Sequence, residues 1–155
     1  MTTQADIDAV LAHVDGGLSQ SLERLYALLR IKSISTDPAF AAECQRAADW
    51  IAAELSGIGF TAAARPTPGH PVVVAHGPEQ EGPHVLFYAH YDVQPVDPVA
   101  LWDTDPFEPV LKTDAHGQVI VARGASDDKG QMLTFIESCR SWHAVTGRLP
   151  VRVSL

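Results

Sequence analysis

The sequence predicts an α/β fold, and three observations carry that prediction. Two N-terminal segments, residues 7–29 and 41–55, repeat apolar residues at helical spacing. Short apolar or alternating runs bounded by Gly and Pro follow, at residues 60–65, 72–75 and 85–89. A further helical stretch from Met132 to His143 then leads into the alternating run Val151-Arg152-Val153-Ser154-Leu155.

Taken in order, Ile7, Val10, Leu11, Val14, Leu18, Leu22, Leu25 and Leu29 form the first helical stripe, which Gly16-Gly17 either kinks or splits. Residues 31–36 read as a loop. Asp37-Pro38 reads as an N-cap followed by proline at the first helical position. The helix it opens carries Ala41, Cys44, Ala48, Ile51, Ala52 and Leu55 on one face, and Gly57 and Gly59 stop it. Residues 60–65 and 72–75 are strands flanking a Pro/Gly turn. The unbroken apolar run 85–89 suits a strand buried on both faces in a parallel sheet. Residues 93–109 are long and irregular, with Pro95, Pro98, Pro106 and Pro109; Trp102 and Phe107 there either pin the segment to the core or line a pocket. A hairpin is expected around residues 114–117, and a helix from near Gly130 that Gly147 and Pro150 stop. No repeat, low-complexity segment or linker divides the chain. Its last strand has no following turn or helix, so the sequence looks cut there.

Composition removes several functions. With 11 Lys and Arg against 19 Asp and Glu, the net charge is -8, which argues against a nucleic-acid or anionic-membrane partner. No apolar run approaches the roughly 20 residues of a membrane span. Residues 1–8 have no basic n-region, so no secretory signal is read there. Cys44 and Cys139 lie in helical patterns outside any Cys-x-x-Cys, as reduced buried thiols of a cytoplasmic protein would.

The residues with chemistry cluster at expected strand ends. His90 and Asp92 end the apolar run, two apart and so on one side of a strand, where open α/β sheets place ligands. A histidine and a carboxylate there read as a ligand and the group that orients it. Asp127-Asp128 falls between a strand and a helix start; two adjacent carboxylates either solvate a tight bend or bind a cation. Lys129-Gly130-Gln131 is not a phosphate loop, which needs Gly-Lys followed by Ser or Thr. Lys129 either contacts an anion at the helix start or is a solvated or loop-pinning charge. His70, His76, His84, His116 and His143 have no partner at ligand spacing and read as surface or satisfied structural histidines.

His90-Tyr91-Asp92-Val93-Gln94-Pro95, then Trp102 and Asp105-Pro106-Phe107-Glu108-Pro109, then Arg123-Gly124-Ala125-Ser126-Asp127-Asp128-Lys129-Gly130-Gln131, together resemble the M20 metallopeptidases. Within them the resemblance is to the dipeptidase branch that includes carnosinase-like enzymes, and it covers the whole chain. It implies a zinc-exopeptidase-like α/β/α fold, a mixed β-sheet flanked by helices, incomplete at the C-terminus. It implies hydrolysis of dipeptides at a pair of Zn2+ ions, with Mn2+ or Co2+ as other occupants. By position, His90 becomes a ligand of one metal and Asp127 the bridge between two. Asp92 joins the catalytic set by orienting His90, and the Asp127–Asp128 peptide becomes cis. A small peptide substrate and a homodimeric complete enzyme are implied as well.

The same resemblance marks what residues 1–155 lack. The family's general-base glutamate and its neighbouring ligand glutamate follow the strand begun at Val151, and the remaining ligands and the lid and dimerisation domain come later. No Glu-Glu pair occurs in this chain. Residues 1–155 are therefore expected to be the N-terminal part of a catalytic domain, inactive alone. An N-acyl amino acid deacylase or a carboxypeptidase keeps the metals and changes the substrate; the Val93-Gln94-Pro95 continuation favours dipeptides. A non-catalytic binding remnant is the reading from another class.

Overall fold

The fold was described from a computed structural model covering residues 2–115 and 117–155. The expectation for His116 lies outside the described residues. Helix α1 (Gln4–Leu29) runs without interruption through Gly16-Gly17. It begins with a capping box: the Thr3 hydroxyl accepts the Asp6 N–H at 3.2 Å and the Asp6 carboxylate accepts the Thr3 N–H at 2.8 Å. A 3-10 turn at Pro38–Phe40, capped by Asp37 through the Ala39 N–H, leads into α2 (Ala41–Gly57). Strands β1 (Thr61–Arg65) and β2 (Val72–His76) form an antiparallel pair with Thr61 opposite His76. Strand β3 (His84–Leu86) follows, then the β4 (Val110–Asp114) and β5 (Gly117–Val121) hairpin. Helix α3 (Lys129–Thr146) ends at Gly147, whose φ of 71° lets its N–H reach the His143 carbonyl. Strand β6 is Arg152–Ser154.

The main sheet has the order β1-β2-β6-β3. Strand β6 lies antiparallel to β2 and parallel to β3, so the sheet is mixed, as predicted. One core joins helices and sheet: Leu28 of α1, Ile51 and Leu55 of α2, Met132 and Ile136 of α3, Ala75 of β2 and Val153 of β6. Cys44 and Cys139 are buried and free, and burial pushes the Cys139 thiol up to about 11.

The reading of residues 85–89 as a strand buried on both faces needs correction. Strand β3 has only three residues, pairs with β6 alone and sits at the end of the sheet. Leu86 is 77% and Tyr88 83% exposed. Apolar composition reports preference for burial, while sheet order decides whether a neighbour is there to provide it. Beyond β3, Phe87 stacks on Phe135 of α3, with ring centroids 3.8 Å apart. The first half of α1 departs similarly: Ile7, Leu11, Val14 and Leu18 continue the apolar stripe but stay exposed.

In the irregular segment, Phe107 is buried with Ile34 and Val93. Trp102 donates its indole N–H to the Val96 carbonyl at 3.0 Å and lies under the Arg123 guanidinium. Both aromatics therefore anchor the segment.

Two polar contacts fasten the helices. Glu137 of α3 accepts from Arg24 at 2.5 Å and Ser21 at 2.8 Å on α1 and from Arg140 at 3.1 Å; Arg140 also reaches Glu54 of α2. The second is Lys129, fully buried, whose Nζ donates to the Leu28 carbonyl at 3.1 Å and the Ile31 carbonyl at 2.7 Å. Of the two readings of Lys129 as a charge, the solvated one is replaced and the loop-pinning one holds: its ammonium adds a second donor to the Leu28 and Ile31 carbonyls, which already accept the Ile31 and Ser33 N–H groups. Burial pulls its pKa down to about 8.

Lys129→Met keeps the aliphatic stem but removes the side-chain donor from both carbonyls, each of which keeps its backbone donor. It is expected to cost about 1–3 kcal/mol in urea unfolding. Burial raises the Glu137 pKa, but its three hydrogen-bond donors and the charge of Arg140 outweigh it, and the net shift is downward. A depressed carboxyl pKa gives stability that is complete above the ordinary value of 4.5 and lost as pH falls through the folded value. Glu137→Gln should therefore be less stable than the parent protein at pH 7, with the gap closing below about pH 4.5 when unfolding midpoints are compared.

Candidate metal centre

Three segments meet at the carboxyl end of β3: residues 31–35 after α1, residues 90–93, and the turn before α3. The loop after α1 is bound to the second segment by the Ser33 hydroxyl on the Tyr91 carbonyl at 2.7 Å and the Val93 N–H on the Ser33 carbonyl at 2.9 Å. An isolated parallel bridge joins Ile34 to Val93. The turn before α3 is fixed by close approach: a Cβ on Gly130 would lie 2.1 Å from the Ala125 carbonyl oxygen, so no side chain fits there. The Asp127–Asp128 peptide is cis, as the resemblance implied.

His90, Asp92 and Asp127 come together. The His90 Nδ1 lies 3.1 Å from both the backbone oxygen and Oδ1 of Asp92. Both are acceptors, so Nδ1 carries a proton. The other ring nitrogen, Nε2, lies 2.9 Å from Asp127 Oδ1. In a neutral ring with Nδ1 protonated, that contact sets one lone pair against another. It becomes favourable when a cation occupies it, either a proton on Nε2 or a metal ion. Burial acts to lower the His90 pKa, but hydrogen bonding to Asp127 and Asp92 and the charge of both carboxylates prevail and raise it.

The donor set suits a divalent ion of the zinc type: one imidazole, oriented from behind by a carboxylate, beside a second carboxylate. Donors of a tetrahedral ion at about 2.0–2.1 Å lie about 3.3 Å apart, close to the His90–Asp127 separation. The set covers part of such a site. A catalytic zinc takes about three protein ligands, and among the described residues no group of three or more His, Cys, Asp or Glu is placed to hold an ion.

Asp128 and Ser35 belong to this cluster as well; the sequence reading weighed Asp128 only with Asp127, as a bend or cation-binding pair, and gave Ser35 no role. Asp128, the residue before α3, leaves the helix N-terminus uncapped and accepts the His90 backbone N–H at 3.2 Å. Its adjacency to Asp127 was the available signal. Ser35 donates to Asp92 Oδ2 at 2.6 Å, a contact over 57 residues that no local pattern announces. Among the remaining histidines, His70 donates Nε2–H to the Ser35 carbonyl at 2.8 Å. His76 and His84 converge on the Ser154 hydroxyl, each at 2.8 Å. The buried Nδ1 of His143 has no hydrogen-bond partner among the described residues.

Several known proteins resemble this chain in sequence and fold. Residues 86–155 match Peptidase family M20/M25/M40. The Cys-Gly metallodipeptidase of Saccharomyces cerevisiae is 29% identical over 161 residues, an alignment covering 95% of this chain and 33% of that protein. The crystal structure of human carnosine dipeptidase 1 superposes with a TM-score of 0.82 at 28% identity, over 95% of this chain and 33% of the other. An M20 family metallo-carboxypeptidase of Sulfolobus solfataricus gives 0.76 at 32% identity, over 87% and 29%. The chain thus spans about a third of the length of the relatives it matches. No described helix is long and apolar enough to cross a membrane. Sequence motifs, family match and fold all point to the M20 metallopeptidases, whose family model residues 86–155 match and whose members this chain resembles.

Proposed function

We propose that the protein is a metal-dependent dipeptidase and that residues 1–155 form the N-terminal part of its catalytic domain. The observation that carries this is the His90 ring, held through Nδ1–H by Asp92 and facing Asp127 through Nε2. In this reading His90 and Asp127 hold Zn2+, with two ions in the complete site and Mn2+ or Co2+ as other occupants. Bound there, such ions polarise the scissile carbonyl and bring the pKa of a water toward neutrality.

This chain's own residues do the positioning. Asp92 fixes the His90 tautomer and keeps the Nε2 lone pair aimed at the ion. Asp128 holds the His90 backbone, and Asp127 places a carboxylate beside the ring. A cavity of about 560 Å3, lined by His70, Val72, Leu86, Tyr88, His90 and Asp92, gives room for a small peptide beside these groups. The proton taken from the water and passed to the leaving amine requires a general base, which the resemblance assigns to a glutamate outside these residues. Residues 1–155 alone are accordingly inactive. A cytoplasmic homodimer completes the proposal.

A carboxypeptidase or an N-acyl amino acid deacylase is the second reading, favoured by the Sulfolobus carboxypeptidase that shares the fold. The protein expressed from its full reading frame, purified without chelator, should contain zinc by elemental analysis and hydrolyse Cys-Gly or β-Ala-His. Chelation should abolish that activity and added Zn2+ restore it. His90→Ala should lower kcat/KM by more than the roughly 10–100-fold typical of outer-shell partners. Cleavage of N-acyl amino acids or longer peptides in preference to dipeptides would select the second reading. Neither metal nor hydrolysis would leave a binding remnant.

A further inference from the structure

We infer that Ser35 is a positioning residue of the metal centre, acting on His90 through the carboxylate of Asp92. The inference rests on the reading of His90 and Asp127 as ligands. The Asp92 side chain is 38% exposed, so packing alone does not fix its rotation. One of its oxygens, Oδ1, accepts from His90 Nδ1–H at 3.1 Å. A carboxylate held through one oxygen still turns about its terminal torsion, and such a turn leaves the ring N–H with the Asp92 backbone oxygen as its remaining acceptor. The Ser35 hydroxyl donates to the other oxygen at 2.6 Å, within the range of a charge-assisted O–H···O bond, and removes that freedom.

The hydroxyl is itself held in place. The Ser35 carbonyl accepts from His70 Nε2–H. Its neighbour Ile34 is buried and bridges to Val93, the residue after Asp92. Two residues further back, Ser33 exchanges bonds with Tyr91 and Val93, and Ile31 is clamped by Lys129. Ser33 and Ser35 therefore differ in kind. Ser33 is fully buried and bonds backbone, which makes it part of the scaffold; Ser35 reaches a side chain that faces the site.

The test compares Ser35→Thr, which keeps the hydroxyl, with Ser35→Val, which replaces it by a methyl group of similar shape. Both are made in the protein expressed from its full reading frame, and Zn2+ affinity is read by competition with a chromophoric chelator. Ser35→Thr should bind Zn2+ within about 2–3-fold of the parent, and Ser35→Val about 10-fold more weakly, with kcat reduced and KM unchanged. Equal Zn2+ affinity in the two variants overturns the inference. If the added methyl of Thr is not accommodated, Ser35→Ala against the parent reads the same difference, and unchanged affinity there overturns it too. His90→Ala separates the layers: if it binds Zn2+ like the parent, the ligand assignment itself falls. If it loses Zn2+ while Ser35→Val matches Ser35→Thr, only the role of Ser35 falls.

Discussion

A buried ammonium holding two carbonyls sets the geometry of the remaining chain. Lys129 is the first residue of α3, and its Nζ ends on the carbonyls of Leu28 and Ile31, where α1 gives way to the loop. Taking a charge out of water is costly, as its lowered pKa records, and the two acceptors offset that cost. Each carbonyl already accepts one backbone N–H, from Ile31 and Ser33 respectively, and its second lone pair takes the ammonium. The contact joins residues about a hundred positions apart and brings the turn before α3 against the loop after α1.

With that junction made, each residue of the Asp-Asp-Lys-Gly motif has a separate task. Asp127 faces the His90 ring, and Asp128 accepts the His90 N–H. Lys129 reaches the end of α1, and Gly130 leaves space for the Ala125 carbonyl. The turn is a joint between three segments, and its residue types follow from what each must touch. The centre it supports is electrostatically incomplete while the ring is neutral: with Nδ1 donating to Asp92, Nε2 and the Asp127 carboxylate face each other as two acceptors. A proton or a metal ion reconciles them. Carboxylates that raise the ring's proton affinity also raise its affinity for a divalent cation, and the two compete for the same lone pair.

Apolar surface is distributed unevenly. The core common to α1, α2, α3 and the sheet is continuous, and Glu137 with Arg24 and Arg140 ties the helices above it. The free edge at β3 and the first half of α1 carry apolar residues in the pattern of buried elements, yet Leu86, Tyr88, Leu11 and Leu18 stay exposed. The cavity beside His90 is lined by Leu86 and Tyr88, so the candidate centre adjoins the apolar edge at β3.

The sequence by itself determined the three helices, the antiparallel pair β1–β2, the β4–β5 hairpin and the Asp37 cap, because each rests on local periodicity, capping or turn chemistry. It also singled out His90, Asp92 and Asp127, since those residue types at strand and helix ends are unusual unless they bind something. Tertiary structure alone decided the rest. Strand β6 entered between β2 and β3 and left β3 at an edge, a choice made by long-range pairing that a five-residue apolar run does not encode. Helix α1 continued through Gly16-Gly17, where periodicity alone left a kink or a split open. Lys129 became a buried clamp, Asp128 a partner of the His90 backbone and Ser35 a partner of Asp92, each across more than 30 residues. Contacts at that separation depend on where the whole chain places its segments, and no window of neighbouring residues contains them.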